Sequence, residues 1–314
     1  MADGEPIRRA APRTYRARRR LRPTVLGAIV ALVLLATPLA AACHLLADKA
    51  QVFEQKARTF LSPQQWPGRG QGAIVLGDGH PTVSPHQQPA PIASLAKVMT
   101  AYLTLERYPL SGGEDGFTMT VSAAQAQAVA AEADEGQSVV AVRAGERLTE
   151  RQLLEALLIP SGNNIARMLA VGVAGSESDF VAEMNDEAGS LGMEQTTYTD
   201  PSGFDPGTVS TAADQLRVFR RAMSFPVFRR IVSMPAATLP VAGTATNFNP
   251  LLAAGYAGKT GSDSAAGGCL AFFIPVTVGG RRRTAVGVVM GQGEGSETSA
   301  LLAAAGEAAE RLTP

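Results

Sequence analysis

The sequence predicts an α+β fold: an antiparallel sheet from N- and C-terminal strands, packed against a helical middle region. Three observations predict it. Short apolar runs bounded by glycine occur at residues 72–76 and again between 256 and 290. Helical periodicity with capping and stop signals marks residues 94–107 and recurs from 149 to 223. A Gly279-Gly280 pair links two of the late apolar runs as a two-residue hairpin turn. Strands and helices segregated in this way argue against alternating βα units and for helices laid on an antiparallel sheet.

The elements follow in order. Gly72 to Leu76 reads as a strand, and Gly77-Asp78-Gly79 as its turn. Pro81 to Pro91 holds four prolines and is loop. From Ser94 to Arg107, Leu95, Val98, Met99, Tyr102, Leu103 and Leu105 recur at helical spacing, with Pro91 upstream and Pro109 closing the segment. Residues 111–147 are rich in Gly, Ala and acids, and a strand is expected at Ser138 to Val142. Thr149-Glu150-Arg151-Gln152 is a capping box that opens a helix running to Leu158 and stopped by Pro160. Further helices are expected from about Asn164 to Val173, from Glu177 to Ser190 with Gly192 at its end, and from Thr211 to Met223. Tyr256 to Gly261, Cys269 to Val278 and Arg283 to Met290 are strand-like, and Glu297 to Leu312 is a terminal amphipathic helix. The strand at 72–76 is expected to join the C-terminal hairpin in one sheet.

Composition narrows the class. The 314 residues are 46% hydrophobic and 18% charged, which excludes a disordered chain. The zero net charge hides an asymmetry. Residues 1–22 carry eight arginines against Asp3 and Glu5, so the body is mildly acidic and offers no footprint for nucleic acid. Thr24 to Cys43 follows without a charge. About 20 helical residues span the ~30 Å hydrocarbon core of a bilayer, and the basic flank places the N-terminus inside. The segmentation expected is therefore a basic cytoplasmic tail (1–23), a transmembrane anchor or signal segment (24–46), a juxtamembrane linker (47–70) and a folded extracytoplasmic domain (71–314). A retained single-pass anchor is the preferred reading. Ala40-Ala41-Ala42 has the form of a signal-peptidase site, and cleavage there would release a secreted protein. Cys269 is the lone cysteine of the exported part and reads as a small buried hydrophobe in a strand. With His44, His80 and His86 the only histidines, no metal site is expected.

Three motifs carry chemistry. Ser94-Leu95-Ala96-Lys97 puts a hydroxyl and an amine on one helical face, with Cβ atoms about 5–6 Å apart. At its ordinary pKa a lysine is a poor base near pH 7; burial or a nearby cation would push it toward neutrality, so that it could take the serine proton. Ser161-Gly162-Asn163 lies between two helices. Its hydroxyl could relay a proton between two lysines, and its amide can donate to and accept from a peptide group. Lys259-Thr260-Gly261, at the end of a strand, supplies a cation for a carboxylate and a glycine that lets a ligand backbone approach. Each motif alone has an ordinary structural explanation: a snorkelling lysine, a helix N-cap, an edge-strand lysine. In this order, on a helix start, a helix–helix turn and a strand, they form the signature shared by penicillin-binding proteins and class A β-lactamases.

From about Gly72 to the C-terminus the chain resembles the low-molecular-mass D-alanyl-D-alanine carboxypeptidases of the S11 peptidase type. The resemblance rests on Pro91 through Tyr102; on Gly145-Glu146, Leu153-Leu154 and Ser161-Gly162-Asn163-Asn164; on Asp200-Pro201-Ser202-Gly203-Phe204 with Ser210 through Asp214; and on Asn247-Phe248-Asn249 leading to Gly258-Lys259-Thr260-Gly261. It implies that 71–314 is a serine D,D-peptidase catalytic domain, and that Ser94 attacks the carbonyl of a D-Ala-D-Ala bond in a peptidoglycan stem peptide. Lys97 would be the base and Ser161 would help pass the proton. The backbone N–H groups of Ser94 and Ser262 would form the oxyanion hole. Lys259 and Thr260, beside Gly261, would hold the terminal carboxylate, and Asn163 the peptide amide. β-Lactams would acylate the same serine, and no cofactor is implied.

Two departures from the family pattern stand out. Asp263 occupies a place usually held by Thr or Ser, and an acid there would repel a carboxylate unless it turns outward or Ser264 takes over. About 50 residues follow Gly261, so the C-terminal β domain and membrane helix of many relatives are not expected, with the N-terminal anchor standing in. Alternatives remain open. A D,D-endopeptidase would share every motif. A β-lactamase of class A would need a Glu-x-x-Leu-Asn segment, and the sequence has none. An inactive wall-binding module is favoured only by Asp263.

Overall fold

The computed structural model describes residues 66–314. The charge-free run 24–43 and most of the expected linker lie outside these residues. Among the described residues no helix is long and apolar enough to cross a membrane.

Strand β1 (Gln71–Leu76) opens the domain and is followed by the short strands β2 (Thr82–Val83) and β3 (Ala90–Pro91). A 3-10 turn, Ala93–Ala96, leads into helix α1 (Lys97–Arg107). Then come β4 (Thr118–Thr120), α2 (Ala123–Asp134), β5 (Arg147–Thr149), α3 (Glu150–Leu158), α4 (Asn163–Ala174) and α5 (Glu177–Ser190). The strand β6 (Val209–Ser210), helices α6 (Ala212–Ala222) and α7 (Pro226–Val232), and a small hairpin of β7 (Ala236–Leu239) and β8 (Gly243–Thr246) precede the last strands. These are β9 (Ala257–Asp263), β10 (Gly267–Val278) and β11 (Arg281–Gln292), and helix α8 (Thr298–Leu312) ends the chain.

The main sheet has the order β2-β1-β11-β10-β9 and is antiparallel throughout. The expected union of the N-terminal strand with the C-terminal hairpin is thus present, with Gln71 opposite Met290 and Leu76 opposite Ala285. Gly279 and Gly280 both take positive φ, as a type I′ turn between Val278 and Arg281 requires.

Strand side chains alternate between the two faces, and here both faces are covered. Ile74, Leu270, Phe272 and Val289 pack with Ala305, Ala308, Ala309 and Leu312 of α8. Ala73, Val75, Ala271, Val286 and Val288 belong to the larger core with the middle helices. This double coverage explains why the central strands read as continuous apolar runs rather than as alternating ones. On α1, Leu95 just before it and Val98, Met99 and Leu105 within it are fully buried, each contributing about 1.5–3 kcal/mol of burial.

The expected strand at Ser138 to Val142 is not formed. The segment has no regular secondary structure, and its partner is a side chain: Val140 N–H donates to Asn164 Oδ1 at 3.0 Å, and Asn164 Nδ2 donates to the Val140 carbonyl at 2.8 Å. The main-chain N–H of Asn163 adds a bond to Ser138 O at 2.7 Å. An amide that mimics a neighbouring strand leaves no ladder to pair. Just before it lies α2, opened by a Ser122–Gln125 capping box and burying no residue; without an apolar stripe it gave no periodic signal. The Thr149–Gln152 box of α3 is formed as expected. The lysine motif lies within β9 rather than at a strand end, because pairing with β10 continues to Asp263.

Candidate active site

Three elements converge on one place. The 3-10 turn and the first turn of α1 supply Ser94 and Lys97, the α3–α4 connection supplies Ser161 and Asn163, and β9 supplies Lys259 through Ser262. Strand β9 presses against the turn: a Cβ on Gly261 would lie 3.0 Å from Ser94 N and 3.1 Å from Ile92 O. Gly258 is required for a similar reason, since a Cβ there would lie 1.9 Å from the Ala271 carbonyl on β10.

Ser94 is half-buried, whereas Lys97 is 0% and Lys259 1% exposed. The nucleophile candidate is thus partly open to solvent while both lysines are withdrawn from it. Lys97 Nζ makes three contacts: Ser94 Oγ at 2.8 Å, Asn163 Oδ1 at 2.7 Å and the Ser202 carbonyl at 2.9 Å. Burial, above all, lowers its pKa well below the ordinary lysine value; Lys259 and Arg167 push the same way, and Asp200 opposes them. A neutral amine has two N–H groups and one lone pair. Two of its partners are carbonyl oxygens, which only accept, so they take both N–H groups. The lone pair is then left for the Ser94 hydroxyl, the geometry of a base beside its nucleophile.

Lys259 Nζ donates to Ser161 Oγ at 2.9 Å and to the Thr260 carbonyl at 2.7 Å, and burial lowers its pKa to about 7. The three bonds of Lys97 go elsewhere, so the structure joins Ser161 to Lys259 rather than to Lys97. Asn163, expected to face a substrate amide, is bonded at both ends within the protein: Oδ1 to Lys97, and Nδ2 to Gln137 Oε1 at 3.1 Å. Thr260 is buried and Ser262 half-buried on the same strand, which is an edge strand. Two non-glycine residues take left-handed backbone here, Ala93 at φ 45° and Ser161 at φ 64°. Each such residue costs of order 1–3 kcal/mol, and such strain clusters at functional sites.

Asp263 is engaged with the β9–β10 turn. Its Oδ1 accepts from Ala265 N at 2.8 Å and Ala266 N at 2.6 Å. Ser264 is exposed and Cys269 fully buried, with its thiol pKa pushed up to about 12 chiefly by burial.

Some residues of the site carry no signal in the motifs. The Ser202 carbonyl is placed by Asp200, whose Oδ2 accepts from Ser202 N, Ser202 Oγ, Gly203 N and Phe204 N, while Oδ1 accepts from Thr208 Oγ1. The Asp200-Pro201-Ser202-Gly203 run belongs to the family resemblance, but nothing in it says that the Ser202 carbonyl reaches Lys97. Gln137 and Arg167 belong to no motif, and nothing in their sequence context marks them.

Comparisons with known proteins identify the family. A family model described as D-alanyl-D-alanine carboxypeptidase, Peptidase S11, matches residues 82–293. The chain is 39% identical over 153 residues to D-alanyl-D-alanine carboxypeptidase DacB2 of Mycobacterium tuberculosis, a match covering 48% of each chain. It is 30% identical over 196 residues to a D-alanyl-D-alanine endopeptidase of Escherichia coli, covering 57% of this chain and 58% of that one. The match spans about half the length of these curated relatives. Among solved structures, the Streptomyces K15 DD-transpeptidase superposes with a TM-score of 0.65 at 26% identity, over 78% of this chain and 95% of that one. A penicillin-binding protein homologue from Mycobacterium tuberculosis gives 0.64 at 30% identity, over 79% and 94%.

Proposed function

The chain belongs to the S11 peptidase family, and from that membership we propose that it is a serine D,D-carboxypeptidase acting on peptidoglycan stem peptides that end in D-Ala-D-Ala. The observation that carries this reading is the buried Lys97 amine, 2.8 Å from Ser94 Oγ and held by two carbonyl oxygens that can only accept; in its neutral form that leaves the lone pair for Ser94. Ser94 Oγ attacks the carbonyl between the two D-alanines and its proton passes to Lys97. The new bond is an ester to Ser94; the bond that breaks is the C–N bond to the terminal D-Ala. The proton returns to the leaving amine. Water then hydrolyses the ester and restores the serine.

The oxyanion that forms on the way is assigned to the backbone N–H groups of Ser94 and Ser262. The Ser94 group lies at the start of the 3-10 turn that leads into α1, where such donors have no intrahelical partner. Lys259, with Thr260 beside Gly261, is assigned to the terminal carboxylate, and Ser161 to proton passage on the Lys259 side. Asp263 is compatible with carboxylate binding because its own carboxylate is engaged with turn amides. β-Lactams are expected to acylate Ser94. The eight arginines before the charge-free run support an extracytoplasmic domain on an N-terminal membrane anchor.

An endopeptidase that cleaves cross-links is the second reading, favoured by the relatives described as endopeptidases. Both readings predict that the full chain in detergent gains the mass of benzylpenicillin on Ser94. Release of D-Ala from a stem pentapeptide, lost in Ser94→Ala, supports the carboxypeptidase. Cleavage of a cross-linked dimer without D-Ala release from the pentapeptide would replace it with the endopeptidase.

A further inference from the structure

Gln137 and Arg167 stand in one hydrogen-bonded line with the Lys97 amine. Arg167 Nη1 donates to Gln137 Oε1 at 3.2 Å, and Asn163 Nδ2 donates to the same oxygen at 3.1 Å. Asn163 Oδ1 accepts from Lys97 at 2.7 Å, and Lys97 lies 2.8 Å from Ser94 Oγ. At the other end of the Gln137 amide, Nε2 donates to Glu135 Oε2 at 2.9 Å. Arg167 Nη2 is also in ion-pair contact with Glu132 Oε1 of α2 at 2.5 Å.

The direction of this line is set from its ends. A side-chain amide can present either its oxygen or its NH2 group to a neighbour, but a guanidinium only donates and a carboxylate only accepts. Toward Gln137, Arg167 can only donate and Glu135 can only accept, so both contacts favour the orientation that turns the Gln137 oxygen toward Asn163. That oxygen draws Asn163 Nδ2 to itself and leaves Oδ1 for Lys97. The amine must then donate to Asn163 and to Ser202 O, and its lone pair faces Ser94. With Gln137 reversed, every donor and acceptor inverts. Asn163 would offer an N–H to Lys97, the lone pair would be taken by the amide, and Ser94 would face an N–H donor. We infer that Arg167 and Gln137 are positioning residues that fix the hydrogen-bond direction through Asn163 and thereby aim the Lys97 lone pair at Ser94, an inference that presupposes the proposed role of Lys97 as base.

The charge of Arg167 acts in the same sense. It is one of the cations that lower the Lys97 pKa, alongside Lys259 and against Asp200. Glu132 and Glu177 face Arg167 in turn.

The test is the second-order rate constant for acylation of the full chain by benzylpenicillin in detergent, followed by intact mass across a pH series. It compares wild type with Arg167→Leu, Gln137→Leu, the double variant and Arg167→Lys. Each leucine variant is expected to acylate about tenfold more slowly, and the double variant no more slowly than the worse single, because both break one line. In Arg167→Leu the acid limb of the pH profile moves to higher pH. Arg167→Lys keeps a donor-only cation and stays within about threefold of wild type. Unchanged rates and an unchanged acid limb in the folded leucine variants would overturn the proposal, as would losses that multiply in the double. Gln137 is half-buried, so its variant keeps the test open should Arg167→Leu fail to fold. Wild type that forms no adduct overturns the role of Lys97 and this proposal together. Wild type that acylates beside indifferent variants overturns this proposal alone.

Discussion

Lys97 Nζ lies 2.9 Å from the carbonyl oxygen of Ser202, so the first turn of α1 is tied to a loop 105 residues further along the chain. The loop is held by the Asp200 carboxylate, which collects three backbone N–H groups and two hydroxyls. Asp200 thus sets the direction of one Lys97 N–H while its charge raises the Lys97 pKa against the larger effect of burial. Asp200→Asn is expected to acylate about tenfold more slowly, because an amide cannot accept all these bonds. Its acid limb should move to lower pH, since a neighbouring anion has gone. This is opposite to the shift expected for Arg167→Leu, and penicillin acylation of both variants across one pH series checks the pair.

Lys97→Met should remove the base and leave the fold. General-base removal costs typically 10²–10⁴-fold in rate, and acylation of Ser94 is expected to fall by about that much. Asn163 Oδ1 and Ser202 O each lose a donor, at ~1–3 kcal/mol for each group left buried and unpaired. The removed desolvation of a buried amine offsets part of this. Stopped-flow acylation and a thermal melt measure the two effects separately.

The two lysines predict a bell-shaped profile with assigned limbs. Lys97 acts as the neutral amine, so kcat/KM rises with pH through its lowered pKa. Lys259 holds a carboxylate as the cation, so kcat/KM falls as pH rises through about 7. A bound carboxylate favours the charged lysine, so the upper limb should lie at higher pH in kcat than in kcat/KM. Stability runs the other way above neutrality. Folded Lys259 titrates near 7 and the unfolded lysine at 10.5, so the unfolded state binds more protons in between and stability increases with pH across that window. Steady-state kinetics and thermal midpoints at pH 7 and pH 9 check both signs.

Glu150, the first residue of α3, is 1% exposed, its Oε1 lacks a hydrogen-bond partner, and burial raises its pKa to about 7. Because the folded value lies above the unfolded value of 4.5, its contribution is fully present below pH 4.5 and is lost as pH rises through about 7. Glu150→Gln should therefore match wild type in acid and exceed it by up to ~3 kcal/mol at pH 8. Urea melts at the two pH values give the difference. Equal stability at both would mean that the carboxylate finds compensation above pH 7.

Much of this architecture is written in local signals. The union of β1 with the C-terminal hairpin follows from apolar runs and a glycine pair, and the bounds of α5 from Glu177 and Ser190. Helix α2 is not legible, because Ser122 caps a segment that buries nothing. The apolar stretch at Val140 misleads because its partner is the Asn164 side chain. The site divides in the same way. Ser94, Lys97, Ser161, Asn163 and Lys259 belong to motifs whose spacing is readable. The Ser202 carbonyl, Gln137 and Arg167 act through contacts between segments distant in the chain, and a main-chain oxygen has no residue type to betray it.

The pairing of Gln71 with Met290 also governs when the molecule can exist. Strand β1 leaves the ribosome well before its partner β11, so this pairing forms only after every element between them has been made. Closing so long a loop is slow, because its entropy must be overcome before the contacts reward it. The edge strand bearing Lys259 is anchored through β10 to that same late partner. A stop codon anywhere in β11 would leave every proposed catalytic side chain translated and yet abolish the pocket, since the nascent chain would carry the chemistry without the frame that holds it.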